Sequence, residues 1–149
     1  MDINTLLKDL SWNAAIEEQK KAVDLLTDLD DYDMMCLVHP IDKSCWENAS
    51  QVLKNKGVKK TYCIVNELFE MIQDINWPGA HLILDLLKSY PKGVFMPAYE
   101  NAIMKAYSSE DDLWLAGLAY FIYCNKVIKK DFLDPENYRR VMEYFDFWG

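Results

Sequence analysis

Cysteine and histidine side chains between residues 36 and 45 are the first candidates for metal chemistry. Cys36 and His39 form a Cys-x-x-His pattern, and Cys45 follows. A structural zinc site normally takes four ligands, whereas this stretch supplies three and no second pair. The pattern favours a small apolar cysteine beside a His-Pro turn, and we predict no metal site.

An aspartate-rich stretch over residues 28–33 resembles the start of a calcium-binding loop. Counted from Asp28, such a loop needs glycine at the sixth position and a bidentate glutamate at the twelfth. Asp33 and His39 stand at those positions. We therefore predict a solvated acidic loop, and no calcium or other cofactor.

Residues suited to acid–base catalysis lie on two predicted helices. His81 and Asp85 are four residues apart and could act as a general-base pair. Glu67, Glu70 and Asp74 share one predicted helical face, as paired catalytic carboxylates would. No GxSxG motif and no glycine-rich phosphate loop accompanies them. A surface histidine and a solvated helix face are the commoner uses of such residues, so we predict that the protein is not an enzyme.

The elements that position these residues follow from apolar periodicity. Apolar residues recur at spacings of three and four, which is typical of amphipathic helices. No stretch alternates with period two over the length of a strand. The fold class is therefore all-α, with about seven helices over residues 12–29, 44–55, 61–75, 79–90, 94–107, from a cap at Ser109 to about Cys124, and from 134 onward.

Local signals mark several helix ends. Ser44 and Glu47 stand at the spacing of a capping box, and Gly57 suits the end of that helix. Asp134 and Pro135 suit the N-cap and the first residue of the last helix.

The stretch NWPGA, residues 76–80, interrupts the helical pattern. Pro78 disfavours helical backbone at Trp77, so one helix is predicted to end there and Pro78 to begin the next. Gly79 and Ala80 are small and would let the second helix approach closely. We predict a structural joint in which the indole of Trp77 fills the corner between helices; the alternative is that Trp77 contacts a ligand.

A faint internal repeat indicates how the helices are arranged. The segments LKNKG (53–57) and LKSYPKG (87–93) each end one predicted helix and precede another. Leu68–Phe69 recurs as Ile103–Met104, 35 residues later. That period is typical of stacked helical hairpins of the HEAT type. We predict a single α-solenoid domain over residues 1–149.

Composition limits the classes of partner. Sixteen basic and 24 acidic residues give a net charge of -8, which disfavours nucleic acid, since that affinity depends on lysine and arginine neutralising phosphates. The same charge can steer the protein towards a basic partner, or serve solubility alone. No apolar run reaches the roughly 18 residues of a membrane span, and the stretch MDINTLLKDLSW lacks the basic and apolar regions expected of a signal peptide. We predict a soluble cytoplasmic protein with no membrane contact.

Three segments together resemble a bacterial family of uncharacterised helical domains. They are DKSCWENASQVL (42–53), MIQDINWPGAHLILDLL (71–87) and the terminal FWG (147–149). The order and spacing of these segments match the family's DKS-WEN motif, its LQD-NWPGA motif and its aromatic-Trp-Gly ending. The resemblance implies a HEAT-like helical fold and brings no catalytic site. Related small helical proteins of bacteria are often immunity proteins of polymorphic or contact-dependent toxin systems, an association at the level of the fold.

Two hypotheses about function follow. The first is a protein-binding module, most concretely an immunity protein that neutralises a basic toxin domain. The second is a helical scaffold or regulatory protein. The residues predicted to contact a partner combine a charged rim with one aromatic anchor, although core burial is the alternative for the aromatic residue: Glu67, Glu70, Asp74, Asp111, Asp112 and Trp114.

Overall fold

The computed structural model describes residues 2–146, in which every regular element is helical. Four short 3-10 helices join the α-helices: Met34–Leu37, Lys43–Cys45, Tyr62–Ile64 and Lys129–Asp131. The α-helices are α1 (Ile3–Asp9), α2 (Ile16–Asp28), α3 (Trp46–Thr61), α4 (Val65–Glu70), α5 (Ala80–Lys88), α6 (Lys92–Ser108), α7 (Asp112–Asn125) and α8 (Pro135–Met142).

The all-α prediction is confirmed. Each of the seven predicted helices is present, and the short helix α1 precedes them. Over residues 2–146, no helix is long and apolar enough to cross a membrane. The terminal FWG segment lies outside the described residues.

The helices of the described residues pack in two layers. Helices α3, α5 and α7 form one layer, because α3 packs on α5 and α5 packs on α7. Helices α4, α6 and α8 form the other layer in the same way. Helix α2 packs on α3 and on α1, which extends the stack at its N-terminal end. Helices α6 and α7 pack as a hairpin, and so do α7 and α8, whereas no comparable contact within residues 2–146 joins α3 to α4 or α5 to α6.

One hydrophobic cluster runs through the stack. At its centre the ring of Phe121 lies 5.3 Å from Phe69, 5.1 Å from Phe95 and 5.0 Å from Tyr99. The Tyr99 hydroxyl is buried and donates to the carbonyl of Leu118 at 2.6 Å, and burial raises its pKa. Because the buried hydroxyl of Tyr99 has a hydrogen-bond partner on α7, it holds α6 against α7 without leaving an unpaired polar atom in the core.

Gly57 breaks α3, as its position in the sequence predicted. Its φ of 82° belongs to the left-handed region, which glycine adopts without the steric penalty of other residues. The chain then resumes helical turns and leads through Tyr62–Ile64 into α4. The break divides α3 into residues 46–56 and 58–61.

The helix caps agree with prediction in one case and differ in another. Asp134 caps α8 through the amide of Glu136 at 3.0 Å, with Pro135 as the first helical residue. The predicted capping box at Ser44 and Glu47 is wrong. Ser44 shares a hydrogen bond of 2.7 Å with the hydroxyl of Ser11. Glu47 instead accepts a bond from a residue outside its own helix, described below.

The joint between α4 and α5 is longer than predicted. Helix α4 ends at Glu70, well before Pro78, and α5 begins at Ala80 with Gly79 as its N-cap. Main-chain bonds tighten after Glu70, since Ile72 and Gln73 donate to carbonyls three residues back. The α-helical bonding pattern therefore stops at Glu70, eight residues before Pro78. Pro78 therefore lies inside the joint and does not begin α5.

Candidate partner-binding site

Acidic residues lie on α4 and on the turn from α6 into α7, two segments that Trp114 brings together. The indole Nε1 of Trp114 donates to the carbonyl of Phe69 at 3.1 Å, which holds α7 against the end of α4. The amide of Asp111 donates to the carbonyl of Ala106 at 2.9 Å and turns α7 back from α6. We call the resulting surface the acidic edge; its members are Glu67, Glu70, Glu110, Asp111 and Asp112.

Several carboxylates of the acidic edge already have structural partners. Glu70 pairs with Lys105 at 3.1 Å across a largely exposed contact, of the kind that contributes little to stability. Asp111 caps α7 by accepting from the amide of Trp114 at 3.1 Å. Asp112 accepts from the hydroxyl of Tyr144 at 2.6 Å, and this bond raises the pKa of Tyr144 to about 12. These contacts hold negative charge at fixed positions along the edge.

Asp74 does not lie on α4, the helix that carries Glu67 and Glu70. The prediction that Glu67, Glu70 and Asp74 share one helical face is wrong, because α4 ends at Glu70. Asp74 lies in the joint, where its carboxylate accepts from the amide of Asn76 at 2.9 Å. Side-chain bonds of this type to nearby backbone compete with continuation of a helix.

Trp114 is a core residue. It is 6% exposed and its indole N–H is satisfied inside the protein, so the core alternative is correct and the anchor role is not. The exposed apolar side chains near the edge are instead Leu113, at 45%, and Met104, at 50%. Periodicity could not separate Leu113 from Trp114, because α7 is apolar on almost every side.

An aromatic cluster lies beside Glu70 and consists of His39, Trp46 and Trp77. The imidazole of His39 stacks on Trp46 at 4.1 Å and meets the edge of Trp77 at 5.1 Å. The two indoles are 5.4 Å apart, and Trp46 Nε1 donates to the carbonyl of Pro40 at 2.7 Å. Burial lowers the pKa of His39, while the charge of Glu70 opposes this shift. His39 is therefore a neutral, packed ring at pH 7.

Replacing Trp77 with alanine is expected to lower the free energy of unfolding by about 2 kcal/mol. A fully buried tryptophan loses about 3–5 kcal/mol in this change, but Trp77 is only half-buried. Its edge contacts with His39 and Trp46 contribute part of the loss. Urea denaturation followed by circular dichroism measures the difference. The control is Trp12→Ala, at a residue 53% exposed, and equal losses for both variants would show that Trp77 does not brace the joint.

A family of domains of unknown function, DUF5071, matches residues 38–136. The chain belongs to the DUF5071 family. No curated protein and no solved structure matches it.

The segments 42–53 and 71–87 contact each other in space. Trp46 and Glu47 come from the first segment, and Trp77 and Gly79 come from the second. The indoles of the two segments pack together, and Glu47 Oε2 accepts from the amide of Gly79 at 2.8 Å. The NWPGA segment is therefore a joint held by α3, which gives both segments a structural role.

The residues considered for metal binding do not assemble a site. Among residues 2–146 no three histidine, cysteine or carboxylate side chains are arranged to hold a metal. Burial raises the pKa of Cys36 and of Cys45. In the acidic loop, Asp30 pairs with Lys60 at 2.6 Å and with Lys56 at 3.5 Å. The loop is therefore bound to α3 by lysines.

His81 and Asp85 both lie on α5, but their surroundings differ from those of a catalytic pair. Asp85 accepts from Lys54 Nζ at 3.3 Å, and His81 is exposed. A general base is normally oriented by its carboxylate partner. Here the carboxylate is directed towards a lysine of α3.

Proposed function

We propose that this DUF5071 domain is a protein-binding module, most concretely an immunity protein that binds and neutralises a basic toxin domain. The observation that supports the proposal is the acidic edge, where carboxylates from α4 and from the α6–α7 turn lie beside exposed apolar side chains. A partner with a basic rim and an apolar centre would complement this surface. No cofactor or chemical step is needed for such a role.

The composition of the edge favours a protein partner over a nucleic acid. Lys105 forms an ion pair with Glu70 of the edge. The five carboxylates of the edge therefore outnumber this cation. Interfaces combine charged rims, which govern association rates, with a few apolar contacts that govern dissociation. Leu113 and Met104 are the residues that could supply those apolar contacts.

The charge contribution is tested by reversing three acidic residues at once. We expect Glu67→Lys, Glu70→Lys and Glu110→Lys together to slow association with a basic partner about ten-fold or more at low salt. The effect should shrink at high salt because exposed charges are screened. Asp111 and Asp112 are left intact, since they hold α7 and Tyr144. Stopped-flow or biolayer measurements of the association rate at two salt concentrations give the result.

The matched control reverses Glu18, Asp24 and Asp28, three exposed residues of α2. Both triple variants change the net charge equally, so only the position of the charge differs. Slower association by the edge variant alone supports a local contact. Equal slowing by both variants would mean that net charge alone steers the partner, and unchanged association would remove the acidic edge from the interface.

The protein to use as partner is the C-terminal domain of a secreted protein encoded beside this gene. Co-expression of the DUF5071 domain should restore growth of cells that make that toxin domain, and the two should co-purify. Failure of both protection and co-purification would contradict neutralisation. Neighbouring genes that encode no secreted protein with a basic C-terminal domain would favour the scaffold hypothesis instead.

A further inference from the structure

A cleft lies at the N-terminal end of the molecule, between α1, the 3-10 helix Met34–Leu37 and residues 38–45. We call it the N-terminal cleft. Its volume is about 840 Å³, within the range of sites that hold a ligand or a group of side chains. Part of its lining precedes residue 38, where the match to the DUF5071 family begins. The cleft therefore joins the family domain to the segment before it.

Large apolar side chains are exposed at the cleft. Ile41 is fully exposed and Met35 is 42% exposed, and both line the cleft with Leu7 and Val38. Trp12 is also exposed, and its amide, which donates to the carbonyl of Ser44 at 3.0 Å, places it beside the cleft. Single exposed apolar residues are ordinary, but a group of them around a concavity is typical of a binding site.

The charges around the cleft indicate which partner it fits. Three carboxylates are fixed by N-cap bonds to its walls: Asp2 accepts from the amide of Asn4, Asp33 from Met35 and Asp42 from Ser44. The bonds from Ser44 hold the pKa of Asp42 below its usual value, so this rim group stays negative. Asp42 and Lys8 themselves line the cleft, and Lys43 follows Asp42 in the chain. With Asp2 and Asp33, three carboxylates and two lysines therefore surround an apolar interior.

We propose that the N-terminal cleft binds a short segment of a protein in which large aliphatic side chains are flanked by lysines or arginines. The aliphatic groups would cover Met35 and Ile41, and the cations would lie near Asp33 and Asp42. A phosphate-bearing ligand is disfavoured by the same carboxylates. The cleft shares no residue with the acidic edge, so this proposal stands or fails independently of the proposed function.

The probe is the synthetic peptide Lys-Leu-Leu-Lys-Leu-Leu-Lys with blocked ends. We expect the intact protein to bind it in calorimetry and to show methyl chemical-shift changes at Met35 and Ile41. A peptide with serine in place of leucine and one with glutamate in place of lysine should each bind at least about ten-fold more weakly. Equal binding of the serine peptide would contradict apolar recognition. Equal binding of the glutamate peptide would contradict the role of the carboxylates.

Variants of the protein locate the site. Ile41→Ser should weaken binding of the leucine–lysine peptide about ten-fold, whereas Leu133→Ser, at another strongly exposed aliphatic residue, should leave it unchanged. Asp33→Asn with Asp42→Asn keeps the side-chain oxygens that cap the two 3-10 helices and should reduce the salt dependence of binding. No binding by the wild type, or equal binding by Ile41→Ser and wild type, would overturn the proposal.

Discussion

Replacing Gly79 with alanine is expected to destabilise the protein by about 4 kcal/mol. Gly79 has a φ of 85°, and an alanine in this left-handed region costs about 1–2 kcal/mol. An added Cβ would also lie 2.8 Å from the carbonyl oxygen of Trp46 and 2.7 Å from Cβ of Ser50, with the Ser50 hydroxyl closer still. Relieving such overlap in a packed interior costs a further 1–3 kcal/mol or so. Urea denaturation measures the free energy of unfolding.

Two other glycines separate these contributions. Gly57 has nearly the same backbone conformation, with a φ of 82°, but open space around its Cβ position, so Gly57→Ala should cost only about 1–2 kcal/mol. Gly93 lies in α6 with open space and ordinary helical backbone, so Gly93→Ala should be neutral or stabilise by about 0.5–1 kcal/mol. Equal losses for Gly79→Ala and Gly57→Ala would show that α5 does not approach α3 as closely as described.

A second variant covers the case in which Gly79→Ala does not fold. Adding Ser50→Ala removes the hydroxyl nearest to the new methyl group and should restore part of the lost stability. Ser50 Oγ is buried and has no hydrogen-bond partner within residues 2–146, so removing it breaks no hydrogen bond among those residues. Absence of any rescue would place the strain in the backbone of Gly79 and in the overlap with Ser50 Cβ and the Trp46 carbonyl, which remain in the double variant.

Replacing Glu100 with glutamine is expected to cost about 3 kcal/mol, although the two side chains have nearly the same shape. Glu100 is 5% exposed on α6. One oxygen accepts from the amide of Leu133 at 2.9 Å, and the other accepts from the amide of Asp134 at 2.9 Å and from Asn137 Nδ2 at 3.1 Å. An amide group would direct its own N–H atoms at one of these donors. Each buried donor left unsatisfied costs about 1–3 kcal/mol.

The loss should be concentrated at α8, because Glu100 binds the backbone that leads into that helix. Amide hydrogen exchange at Leu133 and Asp134 should accelerate more than exchange in α3. The control is Glu136→Gln, which removes the same charge from an exposed pair with Arg139 and should cost less than about 1 kcal/mol. If the Glu100 variant loses no more stability than the Glu136 variant, Glu100 does not hold α8 in place.

Together these contacts separate the scaffold from the surfaces proposed to bind partners. Gly79 and Glu47 fix the joint, and Glu100 fixes the last helix, all by bonds between distant segments. The acidic edge and the N-terminal cleft are formed at the margins of that scaffold. Their residues can therefore be changed with little effect on the fold, provided that the carboxylates that cap helices are kept or replaced by asparagine.

The sequence by itself determined the fold class and the positions of most helices. Apolar residues at helical spacing must be buried on one side of each helix, and this requirement places seven of the helices without knowledge of their neighbours. The same reasoning located the break at Gly57 and the start of α8 at Pro135, because backbone conformation and the missing proline N–H are local properties. The net charge is likewise a property of composition.

Only the tertiary structure decided which residues form a surface. Asp74 left the predicted helical face because the chain turns after Glu70. Trp114 is buried and Leu113 exposed on a helix that is apolar nearly all round, so the packing of α7 against α4 made that choice. Glu47 was predicted to cap its own helix and instead binds Gly79, 32 residues away. These outcomes depend on contacts between distant segments, which local periodicity and capping patterns do not encode.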